Sequence, residues 1–118
     1  MPDAIPVLIT RGAEEDLRAI YRRRLSQRGA SGEDGAEALL VELVGAIESL
    51  GTYPLRGPVP PELEVLGIAT YRQISLPPYR VNYLPAIEGA EPQLTVMLVA
   101  DALRDFRALL EERVLRIG

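Results

Sequence analysis

Cysteine, histidine and lysine are all missing from this chain of 118 residues. Without cysteine there is no disulfide and no thiolate to act as nucleophile or metal ligand. Without histidine a zinc site and a histidine-based triad are excluded, so neither a metal nor a cofactor is expected. Long apolar runs are missing too. None approaches the roughly 20 residues that span a bilayer, and no membrane partner is expected. The N-terminus has no basic, apolar and small-residue succession of the signal-peptide kind. Cytoplasmic location is therefore the default expectation.

What is present has the size of one ordinary domain, 1–118, and 47% of it is hydrophobic, which argues for a folded core. The formal net charge of −4 and a sequence pI near 4.9 argue against a generally basic nucleic-acid binder. The balance is uneven: residues 71–118 hold six arginines and six acids, and the acidic excess lies before them. All 13 basic residues are arginine. GC-rich coding bias explains that without any function. The functional alternative is that planar arginine forks suit phosphate and carboxylate recognition.

Residues 5–10 read as a first strand, with Pro6 at its start or on an edge. Thr10 is a candidate N-cap for a helix on which Ala13, Leu17, Ile20, Tyr21 and Leu25 repeat at helical spacing, with Gly29 as terminator. After the loop GASGEDG, in which Ser31 and Asp34 resemble a capping pair, Ala36, Leu39, Leu40, Leu43, Val44, Ile47 and Leu50 mark a second amphipathic helix. The short loop predicts an antiparallel helical hairpin. A proline-rich connection of about a dozen residues follows, a length at which loops are often functional. Three β-like runs come next, over 64–76 with Gly67 as a candidate break, 79–85 and 94–100, and read as an antiparallel meander. Leu103, Phe106, Leu109, Leu110, Val114 and Ile117 mark a closing helix, with Asp101 as its expected N-cap. The order β-α-α-β-β-β-α predicts an α+β fold, a helical hairpin on a mostly antiparallel sheet.

Four segments in this order carry a resemblance. Residues 9–24, ITRGAEEDLRAIYRRR, are similar to the opening of toxins of the RelE/ParE superfamily, where a strand leads into an Ala-x-x-Asp-Leu helix. Residues 53–67, YPLRGPVPPELEVLG, resemble the loop of that superfamily's plasmid-stabilisation branch. Residues 71–84, YRQISLPPYRVNYL, resemble its paired strands, and 99–116, VADALRDFRALLEERVLR, its last strand and helix. The resemblance implies a RelE/ParE-like fold and the toxin of a type II toxin-antitoxin system, neutralised by a cognate antitoxin. RelE-like members cut messenger RNA on the ribosome, and ParE-like members inhibit DNA gyrase. One fold serves both, so fold alone does not choose.

In the RNA-cutting reading, positive charge must gather around the scissile phosphate and protons must move. By the resemblance, Arg72 stands where RelE-like enzymes carry a lysine, Arg80 matches the arginine of their Tyr-Arg strand motif, and Arg104 matches the arginine opening the last helix. Together they would make a phosphate clamp, with Arg56 and Tyr79 as further binding residues. The departures matter as much. Ile74 replaces a second lysine, Leu110 falls near the expected tyrosine, and Ala102-Leu103-Arg104-Asp105 stands where relatives carry Gly-Arg-Arg-Asp. Arginine, with a pKa above about 12, does not exchange protons readily, and tyrosine titrates near 10. Each arginine also has an ordinary reading: Arg80 as an exposed strand residue, Arg72 as the partner of Glu62 or Glu64, Arg104 as a helix-end charge offset by Asp101 or Asp105. Tyr79 and Tyr83 fall on the face opposite Arg80, which suits core positions.

The clamp carries a register condition. If Pro77-Pro78 make a plain two-residue turn, Ser75 pairs with Arg80 and Arg72 with Tyr83, and the two arginines face opposite ways. Proline pairs do not suit primed two-residue turns, which need positive φ. The expectation is therefore a shifted register that brings Arg72 and Arg80 onto one face. Functionally, the missing lysine and tyrosine favour inhibition of a large target such as gyrase. A ribosome-dependent ribonuclease with an arginine clamp is the alternative, and a non-toxic binding module the third. The apolar surfaces nominated for the antitoxin are the terminal helix and the groove beside the hairpin. Monomer and homodimer both stay open.

Overall fold

The computed structural model describes residues 4–101 and 106–114. In chain order the elements are β1 (Val7–Ile9), α1 (Arg11–Arg28), α2 (Ala36–Ser49), α3 (Pro61–Glu64), β2 (Arg72–Leu76), β3 (Tyr79–Ala86), β4 (Gln93–Asp101) and α4 (Phe106–Arg113). The sheet order is β1-β4-β3-β2. β2 and β4 both run antiparallel to β3, while β1 lies parallel to β4. The expected α+β architecture is present, with one parallel pairing in a mostly antiparallel sheet.

Local chemistry explains most boundaries. Thr10 caps α1, its Oγ1 accepting from the Ala13 N–H at 3.1 Å. Gly29 ends it at φ 76°, where a side chain would be strained. The Ser31–Asp34 cap does not form: Gly35 is the N-cap of α2, without a side-chain bond. The carbonyls of Gly29 and Ala30 instead accept from the N–H groups of Ala36 and Glu37, so backbone supplies what a capping side chain would.

The run expected as strand from residue 64 is also corrected. Pro60 and Pro61 set up the one-turn helix α3, with proline in its first turn, and β2 begins only at Arg72. The register expectation is overturned as well. β2 pairs with β3 as Arg72↔Tyr83, Ser75↔Arg80 and Leu76↔Tyr79. Pro77 and Pro78 form the two-residue turn themselves, with a cis bond between them and no positive φ. A register shift does occur, but on the other side of β3. Asn82 pairs with Leu98 and Tyr83 with Val96, leaving Met97 as the extra residue of a bulge in β4.

That bulge lets β4 serve two cores. Val96 and Val99, three residues apart, both join the cluster under α1 and α2, which includes Leu17, Leu43, Ile47, Val81 and Tyr83. Leu98 and Ala100 point the other way, to Leu63 of α3, to Phe106 and Leu110 of α4 and to Val114 just past it. β1 stops at the pairing Ile9↔Val96, and side chains take over the edge of β4 beyond it. Asp16 Oδ2 accepts from the Val99 N–H at 3.0 Å. Arg113 grips the same carboxylate with both Nη atoms, at 3.0 and 2.6 Å. Gly12 makes room for that guanidinium, because a Cβ there would lie 2.8 Å from Arg113 Nη1. The expected Asp101 cap and the contributions of Leu103 and Ile117 lie outside the described residues; Asp101 itself closes β4.

Candidate functional site

Arg80 lies on the face covered by α3 and α4, and its fork is already occupied. Nη1 and Nη2 donate to the two oxygens of Glu62, both at 2.9 Å. Nε and Nη2 donate to Gln73 Oε1 at 3.0 and 2.6 Å. Four of the five guanidinium N–H groups are thus committed, and the Phe106 ring lies 3.7 Å from the guanidinium carbon. The side chains of Arg80 and Glu62 are only 15% and 24% exposed. Hydrogen bonds from Arg80 hold the Glu62 carboxyl below the usual carboxylate range, against the opposing pull of burial. Gln73 reaches Arg80 because, in the two-residue-turn register, the two are diagonal neighbours on one face.

Arg72 points to the opposite face, beside Tyr83. Its Nη1 donates to the carbonyls of Gly57 at 3.0 Å and Leu55 at 3.4 Å. Tyr83, fully buried, accepts from the Gly57 N–H through its phenol oxygen at 3.0 Å. Gln73 N–H donates to Pro58 carbonyl at 2.9 Å. These bonds strap the proline-rich connection along the edge of β2. Gly57 is obligatory there, since a Cβ would sit 2.0 Å from the Gln73 carbonyl oxygen. Burial pushes the Tyr83 phenol up, partly offset by the Gly57 bond and the charges of Arg72 and Arg56. It is consequently not poised to carry a proton at neutral pH.

A model of the ParE toxin of type II toxin-antitoxin systems, parDE, matches residues 7–106. The chain belongs to the ParE toxin family. Among solved structures it is similar to a chain of the chromosomal ParDE system from P. aeruginosa, with 17% identity and a TM-score of 0.61, over 83% of this chain and 96% of that one. A search of curated protein sequences finds no match.

For this ParE-family chain, the two described arginines of the expected clamp therefore stand on opposite sides of the sheet. Arg104, the third, lies outside the described residues. Arg56 sits on the exposed connection, with Nη1 donating to Ser49 Oγ at 3.3 Å. Tyr79 is buried in the hairpin-side core and presents no surface for a ligand. Sequence reasoning missed the bond between Glu62 and Arg80. The visible signal was the Pro-Pro-Glu start of α3, which places a carboxylate on a short rigid turn. No helix of the described residues is long and apolar enough to cross a membrane.

Proposed function

We propose that this chain is the toxin of an operon-encoded toxin–antitoxin pair and arrests growth by binding an essential target, without cutting RNA. DNA gyrase is the target that the family reading favours. The observation that carries the proposal is the state of Arg80. An RNA-cutting clamp needs free guanidinium forks converging on one phosphate. Here Arg80 is ligated by Glu62 and Gln73, and Arg72 is turned to the other face to hold a loop. An arginine that must first release a bidentate carboxylate is a poor phosphate ligand.

The cognate antitoxin is the second part of the proposal. A groove between α1 and α2 is floored by Leu17, Tyr21, Leu40 and Val41 and rimmed by charges of both signs, among them Arg22 and Glu37. Val41 is 72% exposed there. Such a groove suits the apolar stripe of an amphipathic helix.

Controlled expression tests both parts. Growth should stop, purified gyrase should lose supercoiling activity in the presence of the chain, and ribosome-bound messages should stay intact by primer extension. Co-expression with the antitoxin from the adjacent reading frame should restore growth. Message cleavage at ribosomes with unaffected supercoiling would replace this reading with the ribonuclease one. Normal growth without the antitoxin would leave a binding module.

A further inference from the structure

At the end of the sheet remote from the Pro77-Pro78 turn, β3 outruns its neighbour. β2 begins at Arg72, opposite Tyr83, while β3 continues to Ala86, so Leu84, Pro85 and Ala86 pair only with β4. The Leu94 N–H, across from Pro85, donates to Pro6 on the β1 side. The backbone of Pro85 is accordingly turned toward the open edge, where proline has no N–H to give. Strand addition is blocked there, so anything that docks must be held by side chains.

The side chains around this edge have a definite character. Two adjoining clefts share Leu55 and Ile87, one continuing to Tyr53 and Arg56, the other to Pro85 and Arg72. Tyr53 is 63% exposed, and Leu55 and Ile87 are large apolar residues open to solvent. Neither Arg56 nor Arg72 has a carboxylate within ion-pair distance among the described residues. Glu88 also lines the cleft, which leaves a surplus of one positive charge in a protein whose net charge is −4.

We propose that this cleft is a docking site for an extended protein segment presenting a large aliphatic side chain beside a carboxylate. The aliphatic group would enter between Leu55 and Ile87, and the acid would meet Arg56 at the rim. Single-stranded nucleic acid is the less suitable occupant. Base stacking asks for aromatic platforms, and the cleft offers one tyrosine among aliphatic residues on an acidic protein. The proposal stands apart from the toxin reading, because binding is measured on the purified chain without reference to growth.

The test is panning of a displayed random twelve-residue peptide library, followed by fluorescence anisotropy with the enriched sequences. Enriched peptides should place Asp or Glu within two residues of Leu, Ile or Phe. Arg56→Glu and Ile87→Ser should each weaken binding by about tenfold or more, and high salt should weaken it further. Both residues are solvent-facing, and unchanged urea midpoints would verify folding. The proposal is overturned if nothing is enriched, if the enriched peptides lack acids, or if either substitution leaves affinity unchanged in a folded variant. A uridine-rich single-stranded RNA that binds where the peptides do not would overturn it equally.

Discussion

The two faces of the sheet are built on different principles. The hairpin face is a continuous apolar layer of Leu17, Leu43, Ile47, Val81 and Val96, with Arg72 at its margin holding the proline-rich connection. The face under α3 and α4 buries Leu63, Leu98, Phe106 and Leu110 but threads polar groups among them. Arg80, Glu62 and Gln73 are mutually satisfied there, whereas Asn82, fully buried, has no partner among the described residues for either atom of its amide. The first face draws its stability from burial, which is non-directional. The second depends on geometry, because a buried polar group contributes only when its partners are in place.

The largest loss should come from the apolar face. Leu43, 1% exposed, sits in α2 against the sheet, and Leu43→Ala should cost about 2–5 kcal/mol through lost burial and a residual cavity. The polar face should respond next. Arg80→Leu strands the Glu62 carboxylate and Gln73 in a half-buried setting and should cost about 2–4 kcal/mol. Urea unfolding at unchanged m value measures both. The sharper form is a double-mutant cycle. Adding Glu62→Leu to Arg80→Leu should recover part of the loss, with a coupling of about 1–3 kcal/mol. Strict additivity would mean that the pair contributes nothing beyond its separate side chains.

This contrast also explains which parts were legible in the sequence. The hairpin face follows periodicity: Leu39, Leu43 and Ile47 recur at helical spacing, and Val81 and Tyr83 alternate on a strand, so the core and the α+β class could be read directly. The Thr10 cap was equally local. The Arg80 site was not local. It joins Glu62 of α3 to residues 73 and 80 of a hairpin and to Phe106 of α4, and no spacing rule encodes that. The register expectation rests on positive φ as the condition for a two-residue turn, and Pro77-Pro78 turn the chain without it. Asp16, visible in the sequence only as the Asp of Ala-x-x-Asp-Leu, proves to be the tie between α1, β4 and α4.

Asn82 gives a test of opposite sign. Its buried amide meets no hydrogen-bond partner among the described residues, a cost of about 1–3 kcal/mol. Asn82→Val supplies an apolar, β-branched side chain suited to a buried strand position. The variant should be more stable than the parent by about 1 kcal/mol, part of the relief being offset by imperfect fit. A loss of stability would show that the amide has a partner after all, and an ordered water beside Asn82 in a crystal structure would identify it.

The smallest effect belongs to Glu62→Gln, and its pH dependence decides what the Glu62–Arg80 pair is. The substitution keeps the shape and one acceptor but replaces the second with an N–H facing Arg80, so a loss of about 1 kcal/mol is expected at neutral pH. The Glu62 carboxyl titrates below the ordinary carboxylate range in the folded chain, chiefly through the bonds from Arg80. A group with a depressed folded pKa binds protons more readily when unfolded. Its contribution is therefore full above the unfolded pKa and declines as pH falls through the folded one. The stability difference between parent and Glu62→Gln should stay flat from neutral pH down to about pH 5.5, then shrink steadily as the solution is made more acidic. High salt should reduce that difference only in part, because the pair is mostly shielded from solvent. A difference that is constant across the acid range would remove the charge from the account and leave Glu62 as a neutral spacer within α3.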